Sequence, residues 1–284
     1  MRGRYQKIDY EIIDYGYQSL ENIPHPVRGP LPPSLDKGRF IVCVGAAQTF
    51  GRFVEKPYPS LLQERLAAPV LNLSKGGVGA AQYRRFSERY LPYLNRAKFV
   101  VVQVVTGRNE PNSLFDLTQG GPYQIMRRSD GKAIEAQFLY GDLLASGNRK
   151  LIKRVLEETK LSWVDNFTFF LKQISVPKIL FWFSERKPRY KVSFKSINRF
   201  LGDYPQLVTD EWIAPLLPHV DEYVECITSS GLPQPLVSRF DGQPVTITGL
   251  LKKKAENNYY PSPEMHQDAA DALFKTCCKY LKKE

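Results

Sequence analysis

Residues 40–82 read FIVCVGAAQTFGRFVEKPYPSLLQERLAAPVLNLSKGGVGAAQ, and this stretch decides the fold class. An apolar run, residues 40–44, opens directly into a loop bounded by Gly45 and Gly51. A helix-like segment follows from Tyr58 to Leu66. A second apolar run, residues 69–73, then enters another glycine-rich turn, residues 75–79. Strand, loop, helix, strand, loop is the repeating order of a parallel α/β sheet. Ligands of such sheets bind at the carboxyl ends of the strands, where both loops would lie.

The pattern continues outward. FVVVQVV (residues 99–105) and KILFWF (residues 178–183) are non-alternating apolar runs, the mark of strands buried on both faces. A further strand is predicted over residues 222–228. Helices are predicted over residues 80–94, where Tyr83, Phe86, Tyr90 and Tyr93 recur at helical spacing, over residues 151–174, and over residues 264–281. Residues 114–148 read as an insertion over the sheet, with Gln119-Gly120-Gly121-Pro122 as a turn. Residues 1–38 include IPHPVRGPLPP, whose prolines lack an amide donor and restrict their neighbours. They are expected to form an extended arm on one α/β domain spanning residues 39–284.

The chain has 284 residues, 43% of them hydrophobic, which suits a folded domain with a full core. Its formal charge is +11, spread along the chain with small clusters at Arg84-Arg85, Arg127-Arg128, residues 252–254 and Lys282-Lys283. Such an excess favours an anionic small molecule or glycan as partner, or is simply a solvated basic surface. Nucleic acid is disfavoured: no helix-turn-helix, zinc or ribonucleoprotein pattern occurs and no single basic stripe stands out. Cys43, Cys226, Cys277 and Cys278 show no CxxC or zinc spacing, so no metal site is expected. Reduced cysteines are the pattern of a cytoplasmic protein. No apolar stretch is long enough for a signal peptide or a membrane span.

The blocks resemble the SGNH hydrolase superfamily, whose first block reads Gly-Asp-Ser-x-Thr-x-Gly. Gly45-Ala46-Ala47-Gln48-Thr49-Phe50-Gly51 stands there in this chain. The superfamily's Asn-Leu-Gly-x-x-Gly turn is matched by Asn72-Leu73-Ser74-Lys75-Gly76-Gly77, and its Gly-x-Asn-Asp block, loosely, by Gly107-Arg108-Asn109-Glu110. Its late histidine is matched by His266, just before the last helix. The chain looks closer still to a bacterial domain family with the blocks G-x-x-x-T-[FY]-G-R-F and N-L-x-x-x-x-G. The resemblance implies a flavodoxin-like three-layer sandwich and ester cleavage or transfer. It further implies His266 as a general base, with the Gly77 amide and Asn109 as oxyanion-hole elements. The chain departs from the superfamily at two places. Ala47 stands where the nucleophilic serine belongs, and Pro263 where the aspartate belongs, so the usual triad cannot operate.

Other candidates come from the loops themselves. Gln48, Thr49 and Arg52 at the first loop could hold an anion, with Arg52 offering a bidentate contact. Lys75 in the second glycine turn and Arg108 after the strongest strand would join them. A nucleotide-type anionic donor would fit such a set, but no GxxxxGK[ST] motif is present. Three functions follow: a group-transfer or hydrolytic enzyme without the serine, acting on an anionic or carbohydrate substrate; a sulfotransferase-type enzyme using a nucleotide sulfate; and a catalytically silent ligand-binding module.

Overall fold

Valine, isoleucine and aromatic side chains fill both faces of a pleated sheet, and that composition places the apolar runs at the centre of the molecule. The computed structural model describes residues 4–118, 124–248 and 253–281. The chain begins with α1 (Arg4–Asp9), β1 (Ile41–Val44), α2 (Ala47–Phe50), α3 (Tyr58–Leu66) and β2 (Val70–Asn72). It continues through α4 (Ala80–Arg85), α5 (Ser87–Leu94), β3 (Val100–Gln103), β4 (Phe115–Leu117), β5 (Gln124–Arg127) and β6 (Ala133–Glu135). The remainder holds α6 (Ala136–Ala145), α7 (Arg149–Gln173), β7 (Lys178–Ser184), α8 (Ile197–Leu201), α9 (Asp210–Ile213), β8 (Glu222–Ile227) and α10 (Pro263–Leu281).

The main sheet runs β2-β1-β3-β7-β8, and every neighbouring pair is parallel. Counted within the sheet this is the order 2-1-3-4-5 of flavodoxin-like doubly wound folds. The strand side chains alternate between two cores. Val42, Val44, Val100, Val102, Leu180 and Trp182 face a core with Tyr83, Tyr93, Val155 and Trp163 from α4, α5 and α7. Ile41, Cys43, Val101, Ile179, Phe181 and Phe183 face the other, with Tyr58, Leu62, Met265 and Leu273 from α3 and α10. Helices on both faces make the expected three-layer α/β sandwich.

The structure differs from expectation in three places. The helix over residues 80–94 breaks at Phe86 (φ −114°, ψ 18°), which ends α4 and precedes α5. Residues 114–148 carry a small antiparallel sheet β4-β5-β6 followed by α6, and the turn expected at residues 119–122 lies outside the described residues. The N-terminal arm is only partly extended. It opens with α1 and closes on itself at an isolated bridge between Gln18 and Val27. Among the described residues no helix is long and apolar enough to cross a membrane.

Candidate functional site

The carboxyl ends of β1, β2, β3 and β7 lie along one edge of the sheet, so their exit loops gather there. The β1 loop is built around Gly45. A Cβ at that position would sit 2.4 Å from both Gln103 Oε1 and Thr49 Oγ1, so only glycine lets the chain pass. Gln103 ends β3 and points its Oε1 into the loop, accepting from the Ala46 amide (2.9 Å) and the Thr49 hydroxyl (2.7 Å). The Thr49 hydroxyl also pairs with the Tyr58 phenol at 3.0 Å, and the Asn72 amide donates to the Thr49 carbonyl at 3.1 Å. Tyr83 donates to the Gly45 carbonyl at 2.6 Å. Thr49 thus holds the loop together.

Several buried polar atoms at this edge have no hydrogen-bond partner among the described residues. They are Gln48 Oε1, Gln103 Nε2, Arg108 Nε, Gln206 Oε1 and His266 Nε2. Gln48, Gln103, Gln206 and His266 are each under 5% exposed. Contacts tie two of these residues to the loops around them. His266 reaches the first loop through Tyr58, whose amide donates to His266 Nδ1 at 3.0 Å and whose ring stacks on the imidazole. Gln206 accepts from the Gly107 amide through its carbonyl and donates to the Tyr259 phenol. Burial raises the Tyr58 and Tyr83 phenols with Tyr204 adding to both shifts, while Tyr204 itself feels Tyr259 and Arg108.

The N-terminal arm covers this edge. Tyr5 lies against Gly76, where a Cβ would meet the phenol oxygen at 2.1 Å. Tyr5 and Tyr15 pack with Phe50 and Ala47 in one buried cluster, and Ala47 is 5% exposed. Ala47 thus presents a methyl group under aromatic rings. Arg28 is buried and donates to four carbonyls of the first loop, those of Phe50, Gly51, Val54 and Glu55. Burial pushes its guanidinium down to about 10.

Of the expected anion site at the first loop, Thr49 and Arg52 have protein partners. Arg52 is taken by a fork onto Asp9, with Nε and Nη2 at 2.8 and 2.9 Å from the two carboxylate oxygens, and its Nη1 donates to Tyr260. The Ala46 amide is taken by Gln103. Lys75 lies beside Arg89 and His25: burial and Arg89 lower the ammonium, and burial with Lys75 pushes His25 down to about 4. His266, the expected general base, is itself an acceptor at Nδ1. Because His266 Nδ1 accepts from a backbone amide, the ring proton sits on Nε2, and a base there would need the opposite tautomer. Burial, with Arg28 adding, pushes His266 down to about 3, so the ring is a neutral N–H donor at neutral pH. Asn109 Nδ2 donates to the carbonyl of Gly77, a left-handed glycine at φ 82°, so these two positions brace one another across the loops. Glu110 is fully buried and accepts from the Ala81 amide and Asn166; desolvation pushes it up to about 7.

Gln103, Gln206, Arg28 and Asp9 were not among the expected site residues. Gln103 had a visible signal, as the lone polar residue in the run FVVVQVV. Arg28 and Gln206 belong to irregular segments and Asp9 ends the six-residue helix α1, so no periodicity marks these side chains as inward-facing.

The profile of a domain of unknown function, DUF6473, matches residues 2–119 and 139–281. The chain belongs to the DUF6473 family. The match takes in the arm with Tyr5, Asp9 and Arg28, while residues 120–138, with β5 and β6, lie outside it. No curated protein matches this DUF6473 chain. Among solved structures it is similar to a catalytic mutant of the acetylxylan esterase Axe2 from Geobacillus stearothermophilus. Identity is 10%, with 88% of this chain and 96% of that one covered at a TM-score of 0.43. It is also similar to a carbohydrate esterase family 2 enzyme with a carbohydrate-binding domain from Corynascus thermopiles (13% identity, 91% and 70% covered, TM-score 0.44). A third is LAE5, an alpha/beta hydrolase from the metagenome of Lake Arreo (12% identity, 86% and 97% covered, TM-score 0.43). At these values the likeness is one of chain layout, and no residue's role is carried across.

Proposed function

We propose that this DUF6473 chain binds a neutral polyhydroxylated ligand, a carbohydrate by class, at the carboxyl edge of its sheet and does no serine chemistry there. The observation that carries this reading is the set of buried polar atoms without protein partners. Leaving one such group unsatisfied costs about 1–3 kcal/mol. Five together approach the whole stability of a domain, about 5–15 kcal/mol, so water or a ligand must supply the partners. The set is mixed: Gln103 Nε2, His266 Nε2 and Arg108 Nε donate, while Gln48 Oε1 and Gln206 Oε1 accept. A hydroxyl both donates and accepts, so sugar hydroxyls suit this set. A sulfate or phosphate only accepts and would face the two amide oxygens.

This reading favours the silent binding module over the group-transfer enzyme. With Ala47 under aromatic rings and His266 holding its proton on Nε2, neither nucleophile nor base is in place. The nucleotide-sulfate alternative draws on the basic loops at the strand ends, and in the first of these Arg52 is paired with Asp9. The test is a thermal-shift screen of neutral and acidic oligosaccharides, followed by titration of the best binder. Binding of a neutral oligosaccharide that Gln48→Ala weakens tenfold or more is expected. Hydrolysis of acetylated sugars by the wild-type protein, abolished in His266→Asn, would overturn the reading in favour of an enzyme.

A further inference from the structure

The connection from β7 to β8 buries Tyr204 and Gln206 and turns another part of its length to solvent. Its outer face reads KPRYKVSFKSINR from Lys187 to Arg199, five cations without a carboxylate. An open cleft of about 440 Å³ is formed there, lined by Tyr190, Lys191, Ser193, Lys195, Asn198, Arg199, Gly202 and Asp203. The cleft is preformed because the loop is pinned. The Ser193 amide donates to the Arg199 carbonyl at 3.2 Å, and the Asp210 amide to the Pro188 carbonyl at 3.2 Å. The Tyr190 phenol also donates to the Arg199 carbonyl, laying its ring over Gly202. Gly202 has φ 67°, and a Cβ there would be 2.9 Å from the Tyr190 ring, so glycine is required twice over.

The charges in the cleft are not neutralised. Arg189, at the loop's other end, pairs with Asp210 at 3.3 Å. Lys191, Lys195 and Arg199 have no ion pair among the described residues. Asp203 is the one carboxylate among the residues that line the cleft, and its charge bears on the half-buried Arg186, whose Nε donates to the Asp203 carbonyl at 3.1 Å. Three like charges around one concavity repel one another, and an anion between them removes that cost. The neutral donors Ser193 and Asn198 stand beside them, as in sites that fix an oxyanion's orientation as well as its charge.

We propose that this cleft binds a ligand bearing a tetrahedral oxyanion ester, a sulfate or a phosphate on a saccharide, and that it is a second site apart from the unpartnered polar atoms near the first loop. The proposal does not depend on the reading given to those atoms. It accounts for a basic chain whose first-loop arginine, Arg52, is already paired: the cleft's cations stand in the exit loop of β7, two strands further along the same edge.

The test is titration of the full chain at 0.15 M salt with three probes: a sulfated heparin tetrasaccharide, glucose 6-phosphate and a 20-base-pair DNA duplex. One of the two saccharide esters is expected to bind, and which one does identifies the source of the oxyanion. The combined variant Lys191→Ala, Lys195→Ala, Arg199→Ala should weaken that binding at least 30-fold and flatten its salt dependence. Lys150→Ala, Lys153→Ala, Lys172→Ala removes equal charge from exposed positions of α7 and should change binding less than twofold. Gly202→Ala, which keeps every charge but displaces Tyr190, should weaken binding while leaving the neutral-glycan titration unchanged. Equal weakening by both triple variants would reduce the cleft to diffuse charge and overturn the proposal. So would no binding of either saccharide ester, or tighter binding of the duplex at these same residues.

Discussion

The two ends of the sheet's carboxyl edge are both basic in sequence and are used in opposite ways. Beside β1 and β2, every arginine that enters the site has a partner: Arg52 holds Asp9, and Arg28 holds four carbonyls. Beyond β7, Lys191, Lys195 and Arg199 stand in the open with no ion pair among the described residues. A charge that is buried and paired builds the wall of a site. A charge that is exposed and unpaired is available to a ligand. The difference lies in the N-terminal arm, which brings Asp9 and a row of tyrosines over one end and does not reach the other.

The largest expected effect tests how tightly the covered end excludes charge. His266 has an ordinary unfolded value near 6.5 and is pushed down to about 3 in the fold. A depressed folded value means stability that is present above pH 6.5 and is lost as pH falls toward 3. At about 1.4 kcal/mol per pH unit the loss amounts to roughly 5 kcal/mol over that window. Glu110, raised to about 7, works in the opposite sense, since its contribution is present below pH 4.5 and lost as pH rises through 7. Urea unfolding of His266→Asn, which keeps an acceptor for the Tyr58 amide, should show a flatter slope than wild type between pH 6.5 and 3. Parallel slopes would mean that the imidazole reaches solvent and that the end is not sealed.

Next in size is the ion pair that holds the arm. The Asp9 side chain is 0% exposed and that of Arg52 13%. Removing one member of such a pair leaves an uncompensated buried charge, at about 3–5 kcal/mol. Asp9→Ala should lower stability by that amount in urea unfolding at pH 7. It should also speed protease cleavage within residues 1–38, if the pair is what fastens the arm. A loss under 1 kcal/mol would assign the fastening to Tyr5 and Tyr15 instead.

The sheet could be read from sequence because its strands are buried on both faces, so each appears as an unbroken apolar run bounded by glycine. The loops at the strand ends could be read for the same reason: Gly45 and Gly77 mark where the chain turns after β1 and β2. What could not be read was pairing across distance. Arg52 and Asp9 are 43 residues apart and meet through an irregular arm. Nothing local distinguishes Arg52, taken, from Lys191, free. The break at Phe86 was hidden as well, because Tyr83, Tyr90 and Tyr93 keep facing one core on either side of it.

A smaller effect separates shape from charge at the covered end. Arg28 is a planar fork whose two terminal nitrogens each meet two carbonyls, at 2.6–3.0 Å. Lysine carries the same charge on one nitrogen with three donors and cannot span that set. Arg28→Lys should therefore cost about 2 kcal/mol, from one or two carbonyls left unpaired. An unchanged unfolding midpoint would show that charge alone holds the loop.

The smallest expected effect lies at the open end, and its smallness is the point. Lys191 is exposed, lines the cleft and has no ion pair among the described residues. Its removal takes away no buried contact and relieves repulsion from Lys195 and Arg199. Lys191→Ala should thus shift stability by no more than about 0.5 kcal/mol, in the stabilising direction. That shift should shrink as salt is raised from 0.01 to 1 M, because the repulsion acts through solvent. A loss above 1 kcal/mol, insensitive to salt, would mean that Lys191 is bonded into the fold like Arg52, and the contrast between the two ends would disappear.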